Sequence, residues 1–526
     1  MGELEPAGAA AAPAVRSAGQ GSRPASATTD EAGARWWIWI VLIAVAGAVP
    51  RVVGLRESLA WDELYLYAWV HDRGFGEMLE LVRAREKTPP LGFALAWLAD
   101  SLGGPPQAIR VPQLAAGIAI VPLTAILARQ AFNPRAGTVA AALAAASPFL
   151  LFYSVEARSY SLTTALCLAS ATSLLAAAGS GRRIWWVACS LTAAAALLSH
   201  YTAAAVIAAQ FAWALIAMPE RRKATIACIA GPAIAMIAWL PGLIDQVGIS
   251  SDELARINAV APLALDTVMT IVGRNLIGHP LVGLGRLPGA VATWTVIAGV
   301  ALAAGASLLA AARRGQQGEG TRLRDPAVLL VFALAVAAPV LAILVSLQPQ
   351  QSMLFARNLM VSLPAALVLV AALLASPSRA VATVASLMAV GGMAAGSAIE
   401  LSDAERPAAR EAALAIAERW RPGDRIVELC CLTGAEGPLG SAVEVNLPRG
   451  QRDSLSVLTR TGDLPYRQSL ADGGRLFVVG YVPEGSRTRL FYSPPAGWEA
   501  KFRPVWEKRW PGILETVATE YSPGRG

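Results

Sequence analysis

Charge is what this sequence has least of. Only 15% of its 526 residues are Asp, Glu, Lys or Arg, against about 25% in an ordinary soluble domain. With 55% of the residues hydrophobic, that scarcity excludes a soluble cytosolic enzyme and a disordered scaffold alike. Histidine is rarer still, with three residues (His71, His200 and His279), so a zinc centre is not expected. The five cysteines show no metal-ligand spacing. Cys167, Cys189 and Cys228 sit in apolar runs as small core residues. Cys430 and Cys431 are adjacent, which suits neither a metal site nor an ordinary disulfide. The glycine fingerprint of dinucleotide sites and the P-loop are missing too, which argues against a nucleotide-sugar donor or ATP coupling. The formal net charge of +7 belongs to membrane topology and not to nucleic acid.

What the chain has instead is apolar runs. The first extends from Trp36 to Leu55, and others fall at approximately 108–128, 136–153, 161–179, 184–199, 202–218, 223–241, 289–312, 326–347, 357–375 and 379–398. A membrane span needs about 20 apolar residues. Pro89 to Leu102 is shorter, carries Asp100 and reads as re-entrant or interfacial. With the N-terminus inside and that segment not spanning, twelve basic residues fall in short cytoplasmic loops: Arg129, Arg135, Arg182, Arg183, Arg221, Arg222, Lys223, Arg313, Arg314, Arg322, Arg324 and Arg379. This satisfies the positive-inside bias. The expected fold is an α-helical polytopic membrane protein of about eleven spans with its C-terminus outside. Residues 1–35, rich in Ala, Gly, Ser and Pro, read as a disordered cytoplasmic tail. Residues 36–400 read as the membrane domain, with a first outer loop over 56–107. Residues 401–526 read as a small extracytoplasmic α/β domain, with a helix over Glu405–Trp420 and strands over Arg425–Cys431, Arg475–Val482 and Gly512–Tyr521.

The polar motifs converge on the outer side. They are Trp61-Asp62-Glu63, Lys87-Thr88-Pro89-Pro90-Leu91, the segment Tyr153-Ser154-Val155-Glu156-Ala157-Arg158-Ser159-Tyr160, His200-Tyr201, and Arg357-Asn358. Each alone suits a solvated loop, an aromatic belt or a lipid headgroup contact. The Lys and Arg bias that sets the topology comes from other loops, so their meeting on one face is informative. Intramembrane transporters concentrate charge at the bilayer midplane, whereas these charges gather at one surface. A flippase of lipid-linked glycans and a polysaccharide polymerase or ligase remain alternatives on this reading.

Taken together these motifs resemble the GT-C superfamily of membrane glycosyltransferases, in particular the bacterial relatives of protein O-mannosyltransferases and aminoarabinose transferases. The resemblance runs over roughly 36–400, and YSVEARSY is its most specific motif. Thr88 stands where the family often has His, Gly92-Phe93 where it has Tyr, and Arg357-Asn358 where it has Arg-Tyr. The resemblance implies an inverting transferase in the cytoplasmic membrane that takes its sugar from a polyprenyl-phosphate donor. The acceptor is a glycan, lipid or protein hydroxyl, and membrane lipids are the other partners. Asp62 is then the base, with Glu63 and Glu156 as orienting carboxylates. Lys87, Arg158 and Arg357 meet the donor phosphate, where cations stabilise the departing charge. Tyr153, Tyr160, His200 and Tyr201 contact substrate. No cofactor and no metal is expected.

Overall fold

A computed structural model describes residues 25–60, 62–247, 263–314, 325–348, 352–402, 406–429, 441–458, 474–483, 502–512 and 514–523. Trp61, Cys430 and Cys431, and the tail up to residue 24, lie outside them. The first helix, α1 (Ala25–Gly54), begins eleven residues before the apolar run.

Three helices of the first loop follow: α2 (Asp62–Val70), α3 (Phe75–Arg85) and α4 (Leu91–Ser101). At about 1.5 Å per residue, the eleven residues of α4 reach only about half of the ~30 Å hydrocarbon core. Asp100 at its end meets His71 Nδ1 at 3.1 Å. Next come α5 (Val111–Ala131), α6 (Pro134–Ala146), α7 (Pro148–Ser154), α8 (Tyr160–Ser180), α9 (Arg183–Ser199), α10 (Ala203–Ala217), α11 (Arg222–Ala238) and α12 (Leu240–Val247). Long apolar helices continue at Ala290–Arg314, Pro326–Ser346, Leu363–Leu374 and Arg379–Ser402.

Among the described residues, seven helices are long and apolar enough to cross a membrane, or up to nine if each of two bent pairs is one span. The expected count of about eleven is not confirmed by these helices. The 136–153 run divides into α6 and α7, bent by 61°, and the region from 203 to 238 breaks by 107° between α10 and α11. Local chemistry explains the first break. Ser147 accepts from the Leu150 amide as an N-cap, and Pro148 opens the new helix where no N–H is needed. The orphan carbonyls at the end of α6 are taken by Arg51 of α1, which donates to Ala144 and Ala145 at 3.0 and 3.1 Å.

Small residues let the helices approach. A Cβ on Gly47 would sit 2.9 Å from that of Ala145, and one on Gly299 would sit 2.7 Å from the Ala385 carbonyl. Two such contacts carry the site. A Cβ on Gly117 of α5 would overlap Ser154 Oγ at 2.1 Å, and one on Gly92 of α4 would overlap Ser159 Oγ at 1.7 Å. The YSVEARSY segment is thus wedged against two glycines. A side chain at position 92 would have to displace the Ser159 hydroxyl.

The C-terminal part carries a helix, Ala409–Ala417, and a five-stranded sheet of order β2-β1-β3-β5-β4. The strands are β1 (Arg425–Leu429), β2 (Leu455–Leu458), β3 (Leu476–Pro483), β4 (Phe502–Trp510) and β5 (Leu514–Pro523). The first three pair in parallel and the last two join antiparallel. β2 and β4 lie where no strand is expected from the sequence. One apolar cluster runs from Trp69, Met78, Val82 and Phe93 into Ala412, Ile416, Ile426 and Phe477. The sheet is therefore packed on the first loop and is not a tethered module.

Candidate active site

The motifs picked out in the sequence meet at one end of the helices. Arg129, Arg182 and Arg221 lie at the opposite ends of helices whose near ends carry site residues: α8, for example, starts at Tyr160 and is followed by Arg182.

Asp62 is the first residue of α2, and its carboxylate contacts Arg357 Nη1 at 3.2 Å. The two side chains are 44% and 39% exposed, so the pair opens to the surroundings and a ligand can reach it. Such an exposed pair is worth at most about 1 kcal/mol, which makes it readily exchangeable. Arg357 also lies over the Phe355 ring, at 5.3 Å from its centroid.

Glu63, the next residue, is completely buried. Its carboxylate takes a fork from Arg110 (2.7 and 2.6 Å) and amides from Ala157 (2.9 Å) and Ala60 (3.2 Å). Burial opposes its charge, but Arg110, Arg406 and the Ala157 amide outweigh burial and hold its pKa below the usual carboxylate range. Every lone pair is engaged, so Glu63 acts on the chain and not on a ligand. Arg110 goes on to the Glu57 and Ser58 carbonyls at 2.7 and 2.8 Å, which ties down the loop that leads into Asp62.

Glu156 is buried beside Glu63, and its pKa is pushed up to about 8 by burial and by the Glu63 charge, against the pull of Arg406. Its Oε2 accepts from Arg406 at 3.1 Å.

Arg158 is not an open cation. It forms a fork with Glu86, at 2.6 and 3.1 Å, and Glu86 also accepts the Lys87 amide at 2.8 Å. Glu86 was missed in the sequence, although its position next to Lys87 was the available signal. The fork holds the Lys87 loop against the YSVEARSY segment.

The aromatic residues divide into two groups. Tyr153 and Tyr160 meet edge to face at 5.0 Å, and Tyr160 faces His200 at 5.4 Å. Burial and the Arg158 and Arg357 charges push the His200 imidazole down to about 3, so it is neutral. Its Nδ1 accepts from the Thr202 amide at 3.2 Å, which leaves the proton on Nε2. Tyr201 points elsewhere: its hydroxyl donates to Gln246 at 2.5 Å and accepts from Trp239 at 3.0 Å. Gln246 in turn donates to the Thr88 carbonyl at 3.0 Å, so Tyr201 supports the Lys87 loop from behind.

Among the described residues no three His, Cys, Asp or Glu side chains are arranged to hold a metal ion. The positive charge between Glu57, Glu63 and Glu156 is the guanidinium of Arg406.

Comparison with known proteins agrees with this architecture. Residues 87–244 match the family of dolichyl-phosphate-mannose-protein mannosyltransferases. That stretch contains Lys87, the whole YSVEARSY segment, His200 and Tyr201. The structure is similar to ArnT from Cupriavidus metallidurans in the apo state, with a TM-score of 0.53 and 14% identity over 93% of this chain and 98% of that one. It is also similar to the same protein bound to undecaprenyl phosphate, with a TM-score of 0.50 and 13% identity over 92% and 98%. No curated protein sequence matches the chain. The resemblance to the GT-C glycosyltransferases therefore holds at the level of fold, and it includes the C-terminal sheet.

Proposed function

We propose that the chain is an inverting glycosyltransferase that moves a sugar from a polyprenyl-phosphate donor to a hydroxyl of a cell-envelope glycan, lipid or protein. The reaction takes place at the outer face of the cytoplasmic membrane. The observation that carries this reading is the exposed Asp62–Arg357 pair at the end of the helix bundle, beside Arg158 and the Lys87 loop.

A donor phosphate entering beside Arg357 replaces the Asp62 carboxylate with its own oxygens, since a phosphate offers stronger charge-assisted hydrogen bonds to a guanidinium. Asp62 is thereby released towards the acceptor. The acceptor oxygen attacks the anomeric carbon, its proton passes to Asp62, and the bond to the phosphate oxygen breaks with its electron pair leaving on the phosphate. Attack from the side opposite the leaving group inverts the anomeric centre. The departing charge is met by Arg357 and Lys87, with Arg158 adding its field from the Glu86 fork. Neutral His200, with its proton on Nε2, offers a hydrogen bond without adding repulsion to Arg158. Tyr153 and Tyr160 are both buried and pack against each other, with Tyr160 against His200, so they fix the imidazole in place.

The purified protein is expected to release polyprenyl phosphate from a polyprenyl-phosphate-linked sugar only when an acceptor is present. Arg357→Ala should raise the donor KM by about tenfold or more, the scale of a lost charge-assisted contact, and leave the acceptor KM within about threefold. A wild-type protein that turns over no lipid-linked sugar would refute the transferase reading. An effect confined to the acceptor would remove Arg357 from the phosphate site.

The outer location has its own test. In a cysteine-free background, Ser101→Cys and Arg421→Cys in intact cells should react with an impermeant thiol reagent, and Arg182→Cys should not. Ser101 and Arg182 are both exposed, in α4 and between α8 and α9. Labelling at 182 with protection at 101 would turn the site towards the cytoplasm.

A further inference from the structure

Arg406 belongs to the chain beyond the last apolar helix, yet its guanidinium is 1% exposed and lies among carboxylates of the membrane domain. Its Nη1 reaches Glu57 at 2.5 Å, its Nη2 reaches Glu156 at 3.1 Å, and its Nε lies 3.5 Å from Glu63. The Phe152 ring covers it at 4.6 Å. The three carboxylates come from the loop before α2, from α2 itself and from the segment after α7. No other guanidinium of the described residues bridges all three.

The neighbouring residues tighten the same joint. The Arg410 amide donates to Ser58 Oγ at 2.8 Å, and Arg410 Nη1 donates to the Arg56 carbonyl at 3.2 Å. The Ala408 amide is held by Thr516 of β5 at 2.8 Å. Residues 56–58 are therefore gripped from one side by Arg110 and from the other by the C-terminal chain. That loop ends four residues before Asp62.

We propose that Arg406 is a positioning residue of the transfer site, so that the C-terminal domain is an obligate part of the catalytic machinery and not a separable appendage. It acts through Glu63, the neighbour of Asp62, and through Glu156, two residues before Arg158. One planar fork thus sets the distance between the base and the phosphate-binding side. A lysine retains the charge but has a single point to offer and cannot bridge carboxylates on three segments at once. Displacing a catalytic group by about 1 Å costs on the order of 10²-fold in rate.

This inference rests on the transferase reading, and its test separates the two. Full-length Arg406→Lys and Arg406→Met are purified beside wild type. For each, kcat, the donor KM and the thermal unfolding midpoint are measured. Arg406→Lys is expected to remain folded, with kcat reduced about 10²-fold and the donor KM within about threefold of wild type. Arg406→Met should lose more activity. Arg406→Lys decides the question if the methionine variant does not fold. A kcat within about threefold of wild type in Arg406→Lys, or a loss that appears as an equal rise in KM or follows the unfolding midpoint, would overturn the positioning role. Absence of turnover in wild type would instead overturn the transferase reading.

Discussion

Asp62→Asn is expected to lower kcat by about 10²–10⁴-fold, the usual worth of a general base, while donor affinity is kept or improved. Asn has the shape of Asp but accepts no proton at this step. It also gives up the ion pair with Arg357 at 3.2 Å, so a donor phosphate no longer displaces a carboxylate to reach the guanidinium. The two effects pull turnover and donor affinity in opposite directions, which a folding defect would not do. Single-turnover measurements with saturating donor and acceptor read the first effect, and titration of polyprenyl phosphate reads the second. Near-normal turnover of Asp62→Asn would eliminate Asp62 as the base.

The second large effect is on stability. Glu63→Ala leaves Arg110 buried without its fork, and removing one partner of a buried pair costs about 3–5 kcal/mol. Arg110 is fully buried as well, so its charge is left without a counter-charge away from bulk solvent. Glu63→Gln should fare little better, because it restores the shape and not the charge. The double variant Glu63→Leu with Arg110→Met should recover much of the loss, since it leaves no unpaired charge behind. Unfolding of the purified variants in detergent measures all three. A loss below about 1 kcal/mol in Glu63→Ala, the level of a surface pair, would contradict the structural role assigned here.

The pH dependence follows with a definite sign. The folded pKa of Glu63 is depressed, so its contribution is present above the ordinary carboxylate pKa and is lost as pH falls through the folded value. Glu156 runs the other way. Its folded pKa is raised to about 8, so its contribution is fully present below the ordinary carboxylate pKa and is lost as pH rises through about 8.

Much of the architecture is legible in the sequence because its causes are local. Hydrophobicity summed over a window marks the membrane helices. Three of the strands are visible as short apolar runs next to turn residues. The Asp62, Lys87, Glu156, Arg158 and Arg357 motifs stand out because charge beside an apolar run is costly and therefore scarce.

The number of spans could not be settled from composition, because the runs between 136 and 241 are interrupted by bends that depend on what packs there. Nor could the sequence tell an open charge from a sealed one. Asp62 and Glu63 are adjacent and chemically alike, yet one faces the surroundings and the other is entirely enclosed. The difference arises from partners 47 residues away in Arg110, 94 away in Ala157 and 295 away in Arg357. Ion pairs over such separations leave no periodicity in the chain. Glu86, Arg110 and Arg406 therefore became part of the site only when folding brought them to their partners, and a buried charge is stable only where the tertiary structure supplies its counter-charge.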